Sequence, residues 1–374
     1  MTEQGTDRIQ KIHELGQSIW YDNIQRRLIQ NGMLKDLIDH GQIYGITSNP
    51  SIFQKAIADS TDYDDAITPL KITGSTAEEA FYSLAIEDIQ SAADLFSSLY
   101  ESSGGQDGYV SLEVNPHLAR DTEATIKEAE LLWIKVNRPN LMVKIPATKE
   151  GLPAIRSCIA KGLNINVTLI FSNERYSEVM KAYLAGLEDR LAQGLPLDRI
   201  ASVASFFVSR VDTKVDAALN RLSDDGIISP EVCHDLQGKA AVANSRIAYQ
   251  LFRKVFGAER FASLKAAGAR TQRPLWASTS TKNPAYRDVM YVDDLIAPDT
   301  VNTVPPQTLT AIQDHGATQI GIPEDPSESH RILDQLFKLG ISMQAVTTEL
   351  EEEGVAAFSK SFESLLDTLK EKVA

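Results

Sequence analysis

Cysteine is nearly absent: Cys158 and Cys233 are the only two in 374 residues. Two thiols cannot build a disulfide framework or a four-cysteine metal site, and the plain reading is a pair of reduced thiols in a soluble, cytoplasmic protein. Histidine is equally thin. His13, His40, His117, His234, His315 and His330 are scattered without ligand spacing, so no metal is expected. Positive charge is short as well, 37 Lys and Arg against 51 Asp and Glu for a net charge of −14. That balance argues against nucleic acid or an anionic membrane as the main partner, and any anionic substrate must be held by a few local cations. No apolar run is long enough to span a bilayer, and the N-terminus is too polar for a signal peptide. Gly-x-Gly-x-x-Gly and Gly-x-x-x-x-Gly-Lys-Ser/Thr loops are missing, which removes the usual fingerprints of a nucleotide-binding open sheet.

What is present is a lysine in the wrong company. Lys144 sits in the apolar run Leu141 to Pro146. Read as a strand, the run turns Leu141, Val143 and Ile145 to one face and Met142, Lys144 and Pro146 to the other. Lysine is almost never fully buried unless paired or functional. Burial disfavours a charged ammonium and frees the neutral amine, the nucleophile that Schiff-base chemistry on a carbonyl requires. The bland alternative is a strand-end lysine that snorkels to solvent.

The same grammar recurs. Ser111 and Glu113 share a face against Val110, Leu112 and Val114; Asn166 and Thr168 stand opposite Ile165, Val167 and Leu169. Thr47 aligns with Asn49, and Ser205 with Phe207 and Ser209. Eight strands are expected, at 18–22, 45–49, 109–114, 141–146, 165–171, 203–208, 275–280 and 301–304. Helical patterns follow most of them, as at 122–133, 151–161 and 173–193, which indicates a parallel sheet with crossover connections. With 43% hydrophobic residues and no low-complexity linker, residues 1–374 are expected to form a single α/β domain, a (β/α)8 TIM barrel with extra helices. In such a barrel the active site lies at the C-terminal strand ends. Asp22, Asn49, Glu113, Lys144, Thr168 and Ser205 all fall there, from six different strands.

This constellation resembles the transaldolase family. Gly45 to Phe53 looks like its Thr-Ser-Asn-Pro signature, and Val143 to Gly151 is similar to its Schiff-base lysine segment. Ser111 to Val114 with Asp121 to Glu123, Asn164 to Ser172, and Ser205 to Arg210 supply further matches in family order, from about Asp22 to Pro305. The resemblance implies a cofactor-free enzyme in which Lys144 forms a Schiff base with the C2 ketone of a ketose phosphate. Asp22 is then the base toward the C4 hydroxyl, while Glu113 and a water held by Thr168 move protons during dehydration. Thr47, Asn49, Asn166, Ser205 and Phe207 fall to substrate binding, and Arg210 with Lys282 to the phosphate. Small-molecule sugar phosphates are the implied partners, for a monomer or homodimer. Simpler roles stand beside these: a plain salt bridge for Glu113, backbone satisfaction for the asparagines, and an ion pair with Asp212 or Asp216 for Arg210.

The chain departs from the commonest family pattern at Phe206 and Ser209, and at Lys282, where many relatives carry an arginine. A lysine gives a point charge without bidentate geometry; Ser280 and Thr281 are candidate hydroxyl donors beside it. A related reading is a fructose-6-phosphate aldolase that releases free dihydroxyacetone, but such enzymes typically have a tyrosine near Phe207 and a glutamine near Glu113. A non-catalytic binding barrel has no need of Lys144, Glu113 and Asp22 together. Lastly, residues 355–372 place Phe358, Phe362, Leu365, Leu366 and Leu369 on one helical face. Packing on the barrel is the default for this helix, a dimer contact or a flap over the mouth the alternatives.

Overall fold

A computed structural model describes residues 3–373. Eight parallel strands close in chain order: β1 (Gln17–Tyr21), β2 (Gly45–Ile46), β3 (Tyr109–Glu113), β4 (Leu141–Pro146), β5 (Ile165–Ile170), β6 (Ser202–Phe207), β7 (Arg273–Ala277) and β8 (Thr300–Val304). β8 completes the ring on β1, with Gln17 opposite Thr300 and Tyr21 opposite Val304. Helices cover the outside, so every strand residue is buried, as expected for a parallel sheet with both faces occupied. Extra helices are inserted after β1, β2 and β6, and the fold is the expected (β/α)8 barrel.

Local sequence explains many helix boundaries. Thr76 and Glu79 form a capping box at the start of Ala77–Ser102, and Asp121 and Ser172 cap the helices Thr122–Val136 and Asn173–Ala192 with their side chains. Gly162, at φ +97°, closes Gly151–Lys161 in the left-handed conformation that glycine adopts without penalty.

Alternation along the strands fills the lumen. Asn166 on β5 donates to Ser111 Oγ on β3 at 3.1 Å, skipping β4, which requires both side chains to point inward. Below them Trp20 lies fully buried, and its indole passes so close to Gly45 that a Cβ there would sit 2.6 Å from the ring.

The strands differ from the expected limits where the backbone turns early. β2 has two residues rather than five, because Asn49 leaves the strand to cap the helix Pro50–Ala58, accepting from Ile52 N at 3.0 Å. β7 begins at Arg273 and ends at Ala277, where Ser278 takes a left-handed φ of +55°. In β5 the alternation does not run through to Phe171. The register slips between Val167 and Ile170, and Leu169 stands at φ +59°, a bulge that re-aims its side chain. The C-terminal helix is longer than expected, Met343–Val373. It lies against Pro50–Ala58 and Ala77–Ser102 and sets Phe358 in the barrel mouth.

Candidate active site

At the C-terminal end of the barrel a cavity of about 350 Å³ opens. Lys144 stands in its wall, 5% exposed. Its Nζ donates to the Ser48 carbonyl at 2.9 Å, lies 3.3 Å from Glu113 Oε2, and sits 5.9 Å from the centre of the Phe358 ring. The lysine does not snorkel; strand β4 fixes it inward, between a carboxylate and an aromatic face.

Glu113 lies behind the lysine rather than in the cavity wall, facing a void of about 10 Å³ under the helix Pro50–Ala58. Burial raises its carboxyl above the usual glutamate range, against the pull of Lys144. Apart from the ion pair with Lys144, its Oε2, like the hydroxyl of Thr168, which does line the cavity, is buried without a hydrogen-bond partner among the described residues. Each retains unused hydrogen-bonding capacity beside Lys144.

Asp22 borders the cavity from just beyond β1, and Thr47 Oγ1 approaches its Oδ1 at 2.6 Å. Thr303 Oγ1 lies 2.6 Å from the same Thr47 hydroxyl, so one chain of oxygens fixes the aspartate. Desolvation in the mouth raises the Asp22 carboxyl; the Thr47 hydrogen bond and Lys144 oppose this.

Asn49 combines two of its expected roles: its Oδ1 caps a helix while the residue lines the cavity. Ser205 lines the cavity too, and donates to Asn166 Oδ1 at 2.7 Å. Asn166 itself is fully buried one layer down, between Ser111 and Ser205, and is not part of the wall.

Phe207 packs on Phe171 with centroids 5.1 Å apart, and its ring lies 5.3 Å from the guanidinium carbon of Arg210. The ion pair envisaged for Arg210 does not form. Asp212 accepts from Ala241 N and Tyr291, and Asp216 from Gly238 N and Tyr286. Nearby Glu353 is taken by Lys214 at 2.5 Å. Arg210 therefore enters the cavity half-buried with no carboxylate partner among the described residues. Lys282 joins it there, donating to Ser280 Oγ at 2.6 Å; Thr281 is not in the wall. The Lys282 pKa is depressed by desolvation first, then by repulsion from Arg210 and Lys55. Three cations that form no ion pair among the described residues, at one rim, make a binding place for an anion.

Lys55 escaped the sequence reading. The available signal was its spacing from Ser51, four residues along the helix that follows Asn49, which puts both on one face and both in the wall. Phe358 was legible only as part of the helix for which a flap over the mouth was one alternative; nothing local placed its ring beside Lys144, because it arrives from more than two hundred residues away.

A roomier cleft, about 760 Å³, lies on the flank, but Glu78, Glu79, Glu87 and Glu128 line it and would repel an anionic substrate. The mouth is where nucleophile, carboxylates and cations converge.

The family model described as transaldolase/fructose-6-phosphate aldolase matches residues 19–369. This chain belongs to that family. It is 49% identical over 366 residues to a transaldolase of Saccharopolyspora erythraea, covering 98% of this chain and 97% of that one. A transaldolase of Mycolicibacterium smegmatis is 49% identical over 353 residues, 94% of each chain. Transaldolase 2 of a Nostoc species is 46% identical over 369 residues, 97% of each chain. The match to the transaldolase/fructose-6-phosphate aldolase family runs from β1 almost to the end of the C-terminal helix, so the helix that supplies Phe358 lies within it.

Proposed function

We propose that this chain is a transaldolase, moving a dihydroxyacetone unit from a ketose phosphate to an aldose phosphate through a Schiff base on Lys144. The observation that carries the reading is the buried Lys144–Glu113 pair, 3.3 Å apart, at a mouth rimmed by Arg210, Lys282 and Lys55. The rim holds the phosphate of fructose 6-phosphate or sedoheptulose 7-phosphate, and the sugar chain extends inward toward Lys144.

The neutral Lys144 amine adds to the C2 ketone, and loss of water from the carbinolamine gives an iminium. A carboxyl raised by burial suits the proton handling of this step, and Glu113 reaches the reacting oxygen through a water held at Thr168. Asp22 takes the proton from the C4 hydroxyl. The C3–C4 bond breaks, its electron pair enters the iminium to form an enamine, and the aldose phosphate leaves. The enamine then adds to the aldehyde carbon of the acceptor, and water releases Lys144. Asn49, Ser205 and Thr47 line the route of the sugar hydroxyls, while Asn166 acts from below by orienting Ser205. The reading places the whole chain in cytoplasmic pentose phosphate metabolism, where its two free, buried thiols stay reduced.

Borohydride reduction in the presence of fructose 6-phosphate should attach a three-carbon unit to Lys144, located by peptide mass, and Lys144→Met should abolish capture. Formation of glyceraldehyde 3-phosphate should require erythrose 4-phosphate. Release of similar size without acceptor would make the enzyme an aldolase, and capture on another residue would remove Lys144 from the mechanism.

A further inference from the structure

The barrel has a second basic cavity at its opposite, N-terminal end. It holds about 360 Å³ and lies among the segments that lead into β3, β6 and β7, with Tyr109, Met142 and Val203 as its floor. Arg273, the first residue of β7, is 7% exposed and reaches this cavity. Its Nη1 donates to the Gln106 carbonyl at 3.1 Å and lies 3.2 Å from Asp107 Oδ1. Its Nη2 donates to Ser18 Oγ at 2.7 Å and to the Thr300 carbonyl at 2.6 Å. Nε is left buried with no partner among the described residues. Buried donors are rarely left without an acceptor, so this N–H is free to take one.

Two more cations border the same space. Arg270 donates to the carbonyls of Asp198, Gly104 and Gly105; these fix the guanidinium without neutralising it. Lys265 makes no ion pair among the described residues, and Asp299 is the one carboxylate in the cavity wall. Asp107 pairs with Arg273 behind the wall, so three cations meet two carboxylates, a local excess of positive charge in a chain of net charge −14. Lys265, Thr271 and Asp299 also border an adjoining cavity of about 490 Å³ walled by Tyr249, Phe252 and Phe256, which gives room for a carbon skeleton beside a charged group.

We propose that this face is a second, non-catalytic anion site for a small phosphorylated molecule, separate from the mouth. A phosphate group accepts hydrogen bonds from several directions and so suits the Arg270 guanidinium, the Lys265 ammonium and the one N–H that Arg273 has left. A long polyanion is disfavoured by the overall negative charge. A ligand here ties together the segments entering β3, β6 and β7 and stabilises the folded barrel by mass action, with no contact to Lys144.

Calorimetric titration with inorganic phosphate tests the site on full-length protein carrying Lys55→Gln, Arg210→Gln and Lys282→Gln, which disable the mouth, so the result does not depend on the reaction assigned there. One phosphate per chain should remain, and its binding should raise Tm. Adding Lys265→Glu, an exposed change, should weaken that binding by about tenfold or more, while Lys265→Glu alone leaves turnover unchanged. A crystal grown with phosphate should show the ion against Arg270 and Arg273. Absence of phosphate uptake by the mouth-disabled protein would overturn the proposal. Uptake indifferent to Lys265→Glu, or density elsewhere than beside Arg270 and Arg273, would do the same.

Discussion

Asp22 must be ionised to serve as a base, yet burial in the mouth holds its carboxyl above the usual aspartate range. The acid limb of kcat/KM is therefore expected at a higher pH than a free aspartate gives, and Asp22→Asn should lower kcat by about 10²–10⁴. A pH–rate profile of both proteins checks this; an acid limb unchanged in the variant would mean that another group carries it. Asp212 makes the complementary case for stability. Its carboxyl is pushed up to about 7, chiefly by burial. A folded-state pKa above the unfolded value means that the native chain binds the extra proton, so this contribution is full below about pH 4 and is lost as pH rises toward 7. Asp212→Asn keeps an acceptor for Ala241 N and removes the titration. The decline in urea stability from about pH 5 to about pH 8 should be smaller in the variant, by at most about 3 kcal/mol, because about two pH units of that window lie below the folded pKa. An equal decline in both would show that Asp212 is ionised throughout.

The C-terminal helix Met343–Val373 is the element whose role changed most between sequence and fold. Apolar periodicity put its Phe358, Phe362, Leu365, Leu366 and Leu369 on one face, and all are buried except Leu366, which is half-buried. Periodicity could not say that the first of them would cover Lys144. Ion pairs Arg175–Glu351 at 3.3 Å, Lys214–Glu349 at 2.7 Å and Arg120–Glu352 link the helix to the segments after β5, β6 and β3. Ser51 Oγ donates to Ser361 Oγ at 2.8 Å, and Gly354 leaves just enough room for Leu169, whose Cδ2 would lie 3.1 Å from a Cβ there. The bulge that turns Leu169 toward this helix adjoins Thr168, so helix packing and the site share a support. A left-handed non-glycine residue costs about 1–3 kcal/mol, and the packed helix holds it in place. Phe358→Leu keeps the position apolar with a modest loss of volume and should cost about 1–2 kcal/mol of stability. The ring face beside Nζ stabilises the cation that Lys144 becomes as an iminium, so its loss should slow accumulation of the borohydride-trappable Schiff base several-fold, within the range of a cation–π contact of about 0.5–2 kcal/mol. Single-turnover trapping measures it; an unchanged rate with normal Tm would reduce Phe358 to packing alone.

At the scale of the whole molecule, an enzyme of net charge −14 meets an anionic substrate, and Arg210, Lys282 and Lys55 must overcome the general repulsion. KM for fructose 6-phosphate should rise with ionic strength as the local attraction is screened. Lys55→Gln or Lys282→Gln should raise KM about tenfold with little change in kcat, and flatten its salt dependence. Steady-state kinetics across a salt series reads both effects; a fall in kcat at constant KM would place the lysines in the chemistry instead.

The sequence by itself determined the barrel and the residues at its polar strand ends. Side-chain alternation is local, repeating every two residues, so Lys144, Thr168 and Ser205 could be assigned to the inner face before closure was known. Closure decided the rest. It set Glu113 behind Lys144 rather than in the wall, withdrew Asn166 one layer, left Arg210 without the carboxylates nearest it in sequence, and brought Lys55 and Phe358 to the mouth. These depend on strand stagger, on a bulge at Leu169 and on where a distant helix comes to rest, and contacts of that kind leave no periodic trace in the chain that makes them.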